Sequence, residues 1–352
     1  MADDARAADK LPEALRLYQE AVHQRPSWSE GWWWLASIYY EQDRFGEAQK
    51  AFVRFIATTK NPAPAYAFLG LCEYETGDYG QALKHFTMWA QRGSPGNAQL
   101  IDVASFHWAL LLTRDGQFVP ALYLLEEKIK RHGALVGVVE AMGLAALRMK
   151  AVPEDYPAEK REMAWLAGKA MTYASLRDFE RAQEFAGRLV SHYGNEPNVH
   201  FLRGDLFLFD KRNDEAAAEF KRELEISPEH VQAMSQLALV DLEFEKAEEA
   251  VVMARRAASL ASGDALAHFA LGRSLFATGD LQGSAREFER ARQLAPYNAK
   301  VRFHLAKTYR KLGRVADAER ESAAFESLKG KDEFLPNPGG DRAKPAGGGQ
   351  KK

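Results

Sequence analysis

Residues 32–52 read Trp32-Trp33-Trp34-Leu35-Ala36-Ser37-Ile38-Tyr39-Tyr40-Glu41-Gln42-Asp43-Arg44-Phe45-Gly46-Glu47-Ala48-Gln49-Lys50-Ala51-Phe52. Leu35, Ala36, Tyr39 and Tyr40 recur at helical spacing, and Ala48, Ala51, Phe52 and Phe55 do the same. Asp43-Arg44 falls between the two runs, so the stretch predicts two short helices joined by a turn. The next such turn reads Thr76-Gly77-Asp78-Tyr79. Glycine returns at equivalent points as Gly116, Gly279 and Gly313, where a left-handed residue can end a helix.

Working outward, the second-helix anchor Ala48 has counterparts at Ala14, Ala82, Ala121, Ala182, Ala216, Ala250, Ser284 and Ala318. Six of the eight intervals in this series are 34 residues, and the other two are 39 and 61. Twelve residues before the last eight anchors stand Ala36, Gly70, Ala109, Ala170, Gly204, Ala238, Gly272 and Ala306, every one Ala or Gly. Four residues after the anchors the side chains are mostly large and apolar, as in Tyr18, Phe52, Phe86, Leu125, Phe220 and Phe288. Small residues at fixed points let neighbouring helix backbones approach. A large side chain there would overpack the contact, at a cost of about 1–3 kcal/mol. No unit can bury its own apolar face, so each must stack on the next.

The pattern Trp32-x-x-Leu35-Ala36-x-x-Tyr39, then Ala48-x-x-x-Phe52, resembles the tetratricopeptide repeat, a helix-turn-helix unit of this same period. Tyr66-x-x-Leu69-Gly70 with Ala82-x-x-x-Phe86 matches again, as does His268-x-x-Leu271-Gly272 with Ser284-x-x-x-Phe288, Ala291 and Pro296. The similarity runs from residue 1 to about 328. It implies an all-α chain built as a superhelical solenoid of stacked helix-turn-helix repeats. It also implies a protein–protein interaction scaffold or adaptor rather than an enzyme.

Three places depart from regularity. Ala14 lies so near Met1 that most of the first unit's first helix is missing, so the array is expected to begin with an incomplete unit. In the long interval, Leu135–Met149 reads as an extra helix and Ala151-Val152-Pro153-Glu154-Asp155-Tyr156-Pro157 as a break, because two prolines forbid a helix interior. Pro157 then suits the first turn of a further helix. Residues 150–157 are either a linker between an N-terminal array over 1–149 and a C-terminal array over 158–328, or a surface insertion. From 329 to 352 the sequence is rich in Gly, Pro and Lys and poor in apolar residues, and is expected to be disordered.

The 352 residues carry 47 Lys plus Arg against 49 Asp plus Glu, a formal net charge of −2. Such a balance argues against a chain devoted to phosphate backbones, so no nucleic-acid partner is expected. Cys72 is the single cysteine, which excludes a disulfide framework or thiolate metal cluster, and its place on a first helix reads as a packed thiol. No run approaches the length of apolar sequence that spans a bilayer. Met1-Ala2-Asp3-Asp4-Ala5-Arg6 is not a signal peptide. A cytoplasmic protein is expected, and an exported or periplasmic one only if a signal segment lies upstream. Phosphate-binding glycine loops and His-Glu-x-x-His are absent, so no cofactor or metal is expected. Glu126-Glu127 and Glu248-Glu249 point about 100° apart on a helix, so neither pair converges on one substrate atom.

The resemblance implies that first helices line a concave groove where ligands lie. Near the N-terminus its groove positions hold Trp33, Trp34, Tyr40, Phe68, Tyr74, Phe106 and His107. These residues form either an aromatic strip for apolar peptide side chains or cover for neighbouring helices, and Trp33 with Trp34 offers a route to self-association. The last unit presents Lys300, Phe303, His304, Lys307, Arg310 and Lys311, with Arg273 from the unit before. Basic residues three and four apart share a face. That end is read either as a site for an acidic peptide or C-terminal carboxylate, or as a solvated cap. Some relatives hold chaperone tails in a clamp of Lys and Asn, but Trp33, Ser37, Ala67 and Leu71 occupy two of those positions here. An alternative function is the repeat portion of a larger enzyme or of an export or cell-envelope assembly.

Overall fold

The computed structural model describes residues 1–329, and among them the regular structure is nineteen α-helices with short 3-10 turns and no strand. The chain divides into two compact units, the first ending at Leu112 and the second beginning at Thr113. The first holds α1 (Ala2–Ala7), α2 (Leu11–Gln24), α3 (Ser29–Glu41), α4 (Phe45–Thr58), α5 (Ala63–Glu75) and α6 (Tyr79–Ala90). Helix α7 (Ala98–Asp115) spans the division. The second unit holds α8 (Phe118–His132), α9 (Val136–Ala146), α10 (Arg161–Ser175), α11 (Phe179–Tyr193), α12 (Val199–Phe209) and α13 (Asn213–Ile226). It continues through α14 (Val231–Glu243), α15 (Ala247–Leu260), α16 (Ala265–Ala277), α17 (Leu281–Leu294), α18 (Ala299–Lys311) and α19 (Val315–Leu328).

Each first helix ends in the same way. Gly77, Gly116, Gly279 and Gly313 have positive φ, as the sequence predicts, and Asp9, Asp43, Arg148, Arg177, Lys211 and Glu245 adopt it at equivalent turns without glycine's freedom. A non-glycine residue there costs roughly 1–2 kcal/mol. Several following helices are capped in return: Asp78 accepts from the N–H of Gln81, Asp178 from Arg181 and Asp280 from Gly283. Such caps are worth about 1 kcal/mol each.

The two small-residue columns meet large rings. A Cβ on Gly70 would stand 2.8 Å from the Phe86 ring, on Gly204 2.5 Å from Phe220, and on Gly272 2.8 Å from Phe288. Those three rings are fully buried, as is Phe52 behind Ala36. Each contributes about 2–3 kcal/mol by leaving water. Stacking of unit on unit thus proceeds through ring-in-gap contacts inside each pair.

Helix α1 occupies part of the shortened first helix. Its Arg6 lies 3.6 Å over the Trp34 ring, and its Asp3 accepts a hydrogen bond from the Tyr18 hydroxyl.

The break at 150–157 does not divide the chain, because it lies inside the second unit. After α9, Val152 and Tyr156 turn inward and are buried, and the Tyr156 hydroxyl lies 3.2 Å from the Met149 sulfur. Two short 3-10 turns, Pro153–Asp155 and Ala158–Lys160, lead into α10, which starts later than Pro157. What holds this region together is a crossing of α9 and α10 with almost no side chain between them. A Cβ on Gly143 would fall 1.8 Å from the Ala164 carbonyl oxygen, and one on Gly168 1.8 Å from that of Val139. No second helix stands between the two, and close backbone contact replaces it. The Gly-rich stretch from 330 to 352, expected to be disordered, lies outside the described residues.

Candidate functional site

The N-terminal aromatic residues are drawn together, mostly by one another. Trp33 on α3 lies edge-on to Phe52 at 5.8 Å and to Phe68 at 5.7 Å, and 5.1 Å from Phe55. Tyr40 closes on Phe68 at 5.3 Å, and burial pushes its hydroxyl up to about 12. Tyr74 meets His107 at 4.7 Å, and Phe106 flanks His107 at 5.7 Å. Tyr74 is buried, and Trp33, Trp34, Tyr40, Phe68, Phe106 and His107 are half-buried. The structure therefore places these rings as cover between α3, α4, α5 and α7, with part of each face left to solvent.

The C-terminal residues are arranged differently. The exposed Lys307 and Lys311 bring their ammonium groups to 5.1 and 4.6 Å from the centre of the Phe276 ring on α16. Arg273, one turn earlier on α16, reaches Glu243 at 3.5 Å. Lys300 is exposed on the first turn of α18, and Phe303 is 47% exposed beside it. Two of the expected basic residues behave otherwise. Arg310 turns to its own pair and donates to the Ser322 hydroxyl on α19 at 2.6 Å. His304 packs among Phe269, Phe288 and Phe303 at 5.2–5.7 Å. Burial, then the charges of Arg273 and Lys307, hold its imidazole down to about 4, so it presents a neutral ring near pH 7. The cluster is thus three cations, an exposed Lys300 and the rings of Phe269, Phe276, Phe303 and His304. Sequence reading passed over Phe269 and Phe276, although both fall at groove positions of α16.

A second group, on α9, α12, α14 and α16, escaped sequence reading altogether. Arg148 ends α9 with its guanidinium carbon 4.8 Å from the Phe118 ring and 5.9 Å from Phe201. Burial lowers its affinity for a proton, and the charges of Asp264 and Asp205 oppose that effect. Asp205 is half-buried on α12 and accepts from Gln236 at 3.4 Å. Burial pushes its carboxyl up to about 7, against the pull of Arg148. Asp264 caps α16 through the N–H of Ala267 at 2.9 Å and accepts from Gln232 at 3.0 Å. His230 lies 4.7 Å from Phe201, and burial followed by the charge of Arg148 lowers it to about 4.

Groups that might carry chemistry are otherwise engaged. Cys72 is fully buried, and burial pushes its thiol up to about 12. Glu126 and Glu127 both pair with Lys130, at 2.8 and 3.2 Å. Among the described residues, no group of three or more His, Cys, Asp or Glu could hold a metal ion, and no helix is long and apolar enough to cross a membrane.

Comparison with known proteins bears on the repeat. Residues 1–54, 39–98 and 168–231 match one description of the tetratricopeptide repeat, and residues 275–323 match another. The human cilia- and flagella-associated protein 70 is 26% identical over 172 residues, covering 47% of this chain and 15% of that protein. Human protein O-mannosyl-transferase TMTC3 is 23% identical over 249 residues, covering 66% of this chain and 26% of that one. The chain therefore spans about a seventh and a quarter of the lengths of these two relatives. The crystal structure of the APC/C hetero-tetramer Cut9-Hcn1 is similar over 94% of this chain and 86% of that one, with 12% identity and a TM-score of 0.44. Helix pairs repeating at a constant period, and family matches over both halves, lead to one conclusion: this chain belongs to the tetratricopeptide repeat family.

Proposed function

We propose that the protein is a non-catalytic binding scaffold whose second unit receives a peptide along α16 and α18, with acidic residues of the partner facing the cations there. One observation carries the reading: Lys307 and Lys311 converge over the Phe276 ring from α18, with Arg273 on the same helix as that ring. A solvated cap needs no such convergence. Cations at a ring face gain about 0.5–1 kcal/mol at exposed sites, so an anion drawn to them finds the charge already positioned. Apolar partner side chains have Phe303 and Phe269 alongside. A largely preformed surface of this kind spares the protein the cost of ordering itself on binding.

The test is fluorescence anisotropy of labelled peptides alternating Glu with Phe or Leu, against the same peptides with Gln for Glu. Lys307→Glu with Lys311→Glu should weaken the acidic set about tenfold or more and flatten its salt dependence. Arg310→Glu, whose residue turns toward Ser322, should have the smaller effect. Equal binding by the double variant and the parent chain rejects the reading.

A second reading is the repeat portion of a larger enzyme or export assembly. The small share of each human relative that the chain covers favours it. Immunodetection of the native protein near 39.4 kDa would reject it.

A further inference from the structure

Arg148 is the most unusual cation in the second unit. It is half-buried, it sits in the left-handed region at φ 56°, and two phenylalanine rings flank its guanidinium. Among the described residues, no acceptor lies within hydrogen-bond or ion-pair distance of its fork. Leaving a desolvated charged donor unpaired costs more than leaving a neutral one, so such a group marks a place where an acceptor is missing.

The two carboxylates whose charge reaches Arg148 are engaged elsewhere. Asp264 is spent on the α16 N-terminus and Gln232, and Asp205 receives the Gln236 amide. Neither completes the fork. A planar guanidinium with free parallel N–H groups matches a carboxylate bidentately. A phosphate would bring a second negative charge toward Asp205 and Asp264, and the site disfavours it on that ground.

We infer that Arg148 is the anchor for a single carboxylate of a peptide lying in the second unit, in a subsite built by Arg148, Phe118 and Phe201 and flanked by Gln232, Gln236 and Asp205. The inference rests on the reading of this unit as a peptide-binding scaffold. It uses none of the residues of the α16–α18 cluster. Asp205 sets the selectivity: its charge penalises a second anion and favours a partner with one acid at this point.

The experiment follows the Nε–Hε NMR signal of Arg148 in the full chain, assigned by its loss in Arg148→Lys. The probes are N-acetyl-glutamate amide, N-acetyl-glutamine amide, and Gly-Gly-Leu with a free or an amidated C-terminus. One bidentate contact worth about 3 kcal/mol corresponds to a Kd on the order of 10 mM, so the acids should produce saturating shifts and the neutral compounds none. The tighter of the two acids identifies the source as a side chain or a chain end. Asp205→Asn should tighten the acids about threefold to tenfold by removing repulsion. A signal indifferent to every acid overturns the inference, even if Lys307 and Lys311 bind acidic peptides. Conversely, saturation here stands if those two lysines prove inert, so the two readings fail separately.

Discussion

Helix α16 packs on α17 through a ring, whereas α9 packs on α10 through bare backbone. In the first contact Gly272 opens a gap that Phe288 fills, and the obstacle to any larger residue is a side chain that can shift. In the second, Gly143 and Gly168 face the carbonyl oxygens of Ala164 and Val139, which cannot move without bending a helix. The same residue type, read in the sequence as one kind of spacer, supports two kinds of joint. A ring-in-gap joint ties the two helices of one repeat, joined by their tight turn. The backbone joint ties α9 to α10 where no second helix intervenes, and so keeps the second unit continuous through residues 150–157.

The largest effect expected from this contrast is at the backbone joint. Gly168→Ala should cost about 3 kcal/mol or more, or prevent folding, because its Cβ would collide with main chain. Urea denaturation followed by helical circular dichroism measures it, and a near-parental midpoint would dissolve the distinction between the joints. The next effect concerns Asp205, on the helix beyond that joint. Its carboxyl titrates near 7 in the folded chain against an ordinary 3.8, so the folded state holds this proton more firmly than the unfolded one. Stability from this group is therefore full below about pH 4 and declines as the pH rises toward 7. Asp205→Asn should remove the decline, adding about 1–2 kcal/mol near pH 8 and nothing near pH 4. Identical pH profiles for the two chains would show that the carboxyl is well solvated.

At the ring joint, Gly272→Ala should cost only about 1 kcal/mol, since the Phe288 ring can yield. Adding Phe288→Leu should recover part of that loss. By contrast, Val139→Ala should recover nothing in Gly168→Ala, because the obstacle there is the Val139 carbonyl and not its side chain. Recovery in both cases would mean both joints are side-chain contacts. Smallest of all, Glu249→Gln on the exposed face of α15 should stay within about 0.5 kcal/mol of the parent. A larger change there would point to a partner for Glu249 that burial does not reveal.

Other columns show where legibility in the sequence ends. His268 stands where other units place Trp32 or Tyr66, and the structure pairs it with Glu287 at 2.6 Å. His200 pairs with Glu219, and Arg302 with Glu321 at 2.8 Å, each across the same separation of 19 residues. Tyr66 and His85 stack at that separation too, so a search for polar pairs at this spacing finds the column. Glu223 could likewise have been noticed, because it occupies the place of Ala257 and Ala291 one and two repeats later. Buried there, its carboxylate accepts the N–H groups of Asn198 at 2.8 Å and Phe201 at 3.2 Å and closes the start of α12. The N-terminal aromatic residues were visible as a group, but which faces they spend on one another depends on ring orientation, which spacing does not encode.

The repeat, its helix pairs, the turns that end the first helices and the small-residue columns belong to the sequence alone. They arise from contacts between residues near in the chain, or at a constant interval along it. The continuity of the second unit across 150–157, the neutral state of His304, the outward turn of Arg310 and the meeting of Arg148 with Asp205 were decided only in three dimensions. Each depends on how closely two helices approach and on what that approach does to the solvation of a charge, and neither quantity has a period for a sequence to display.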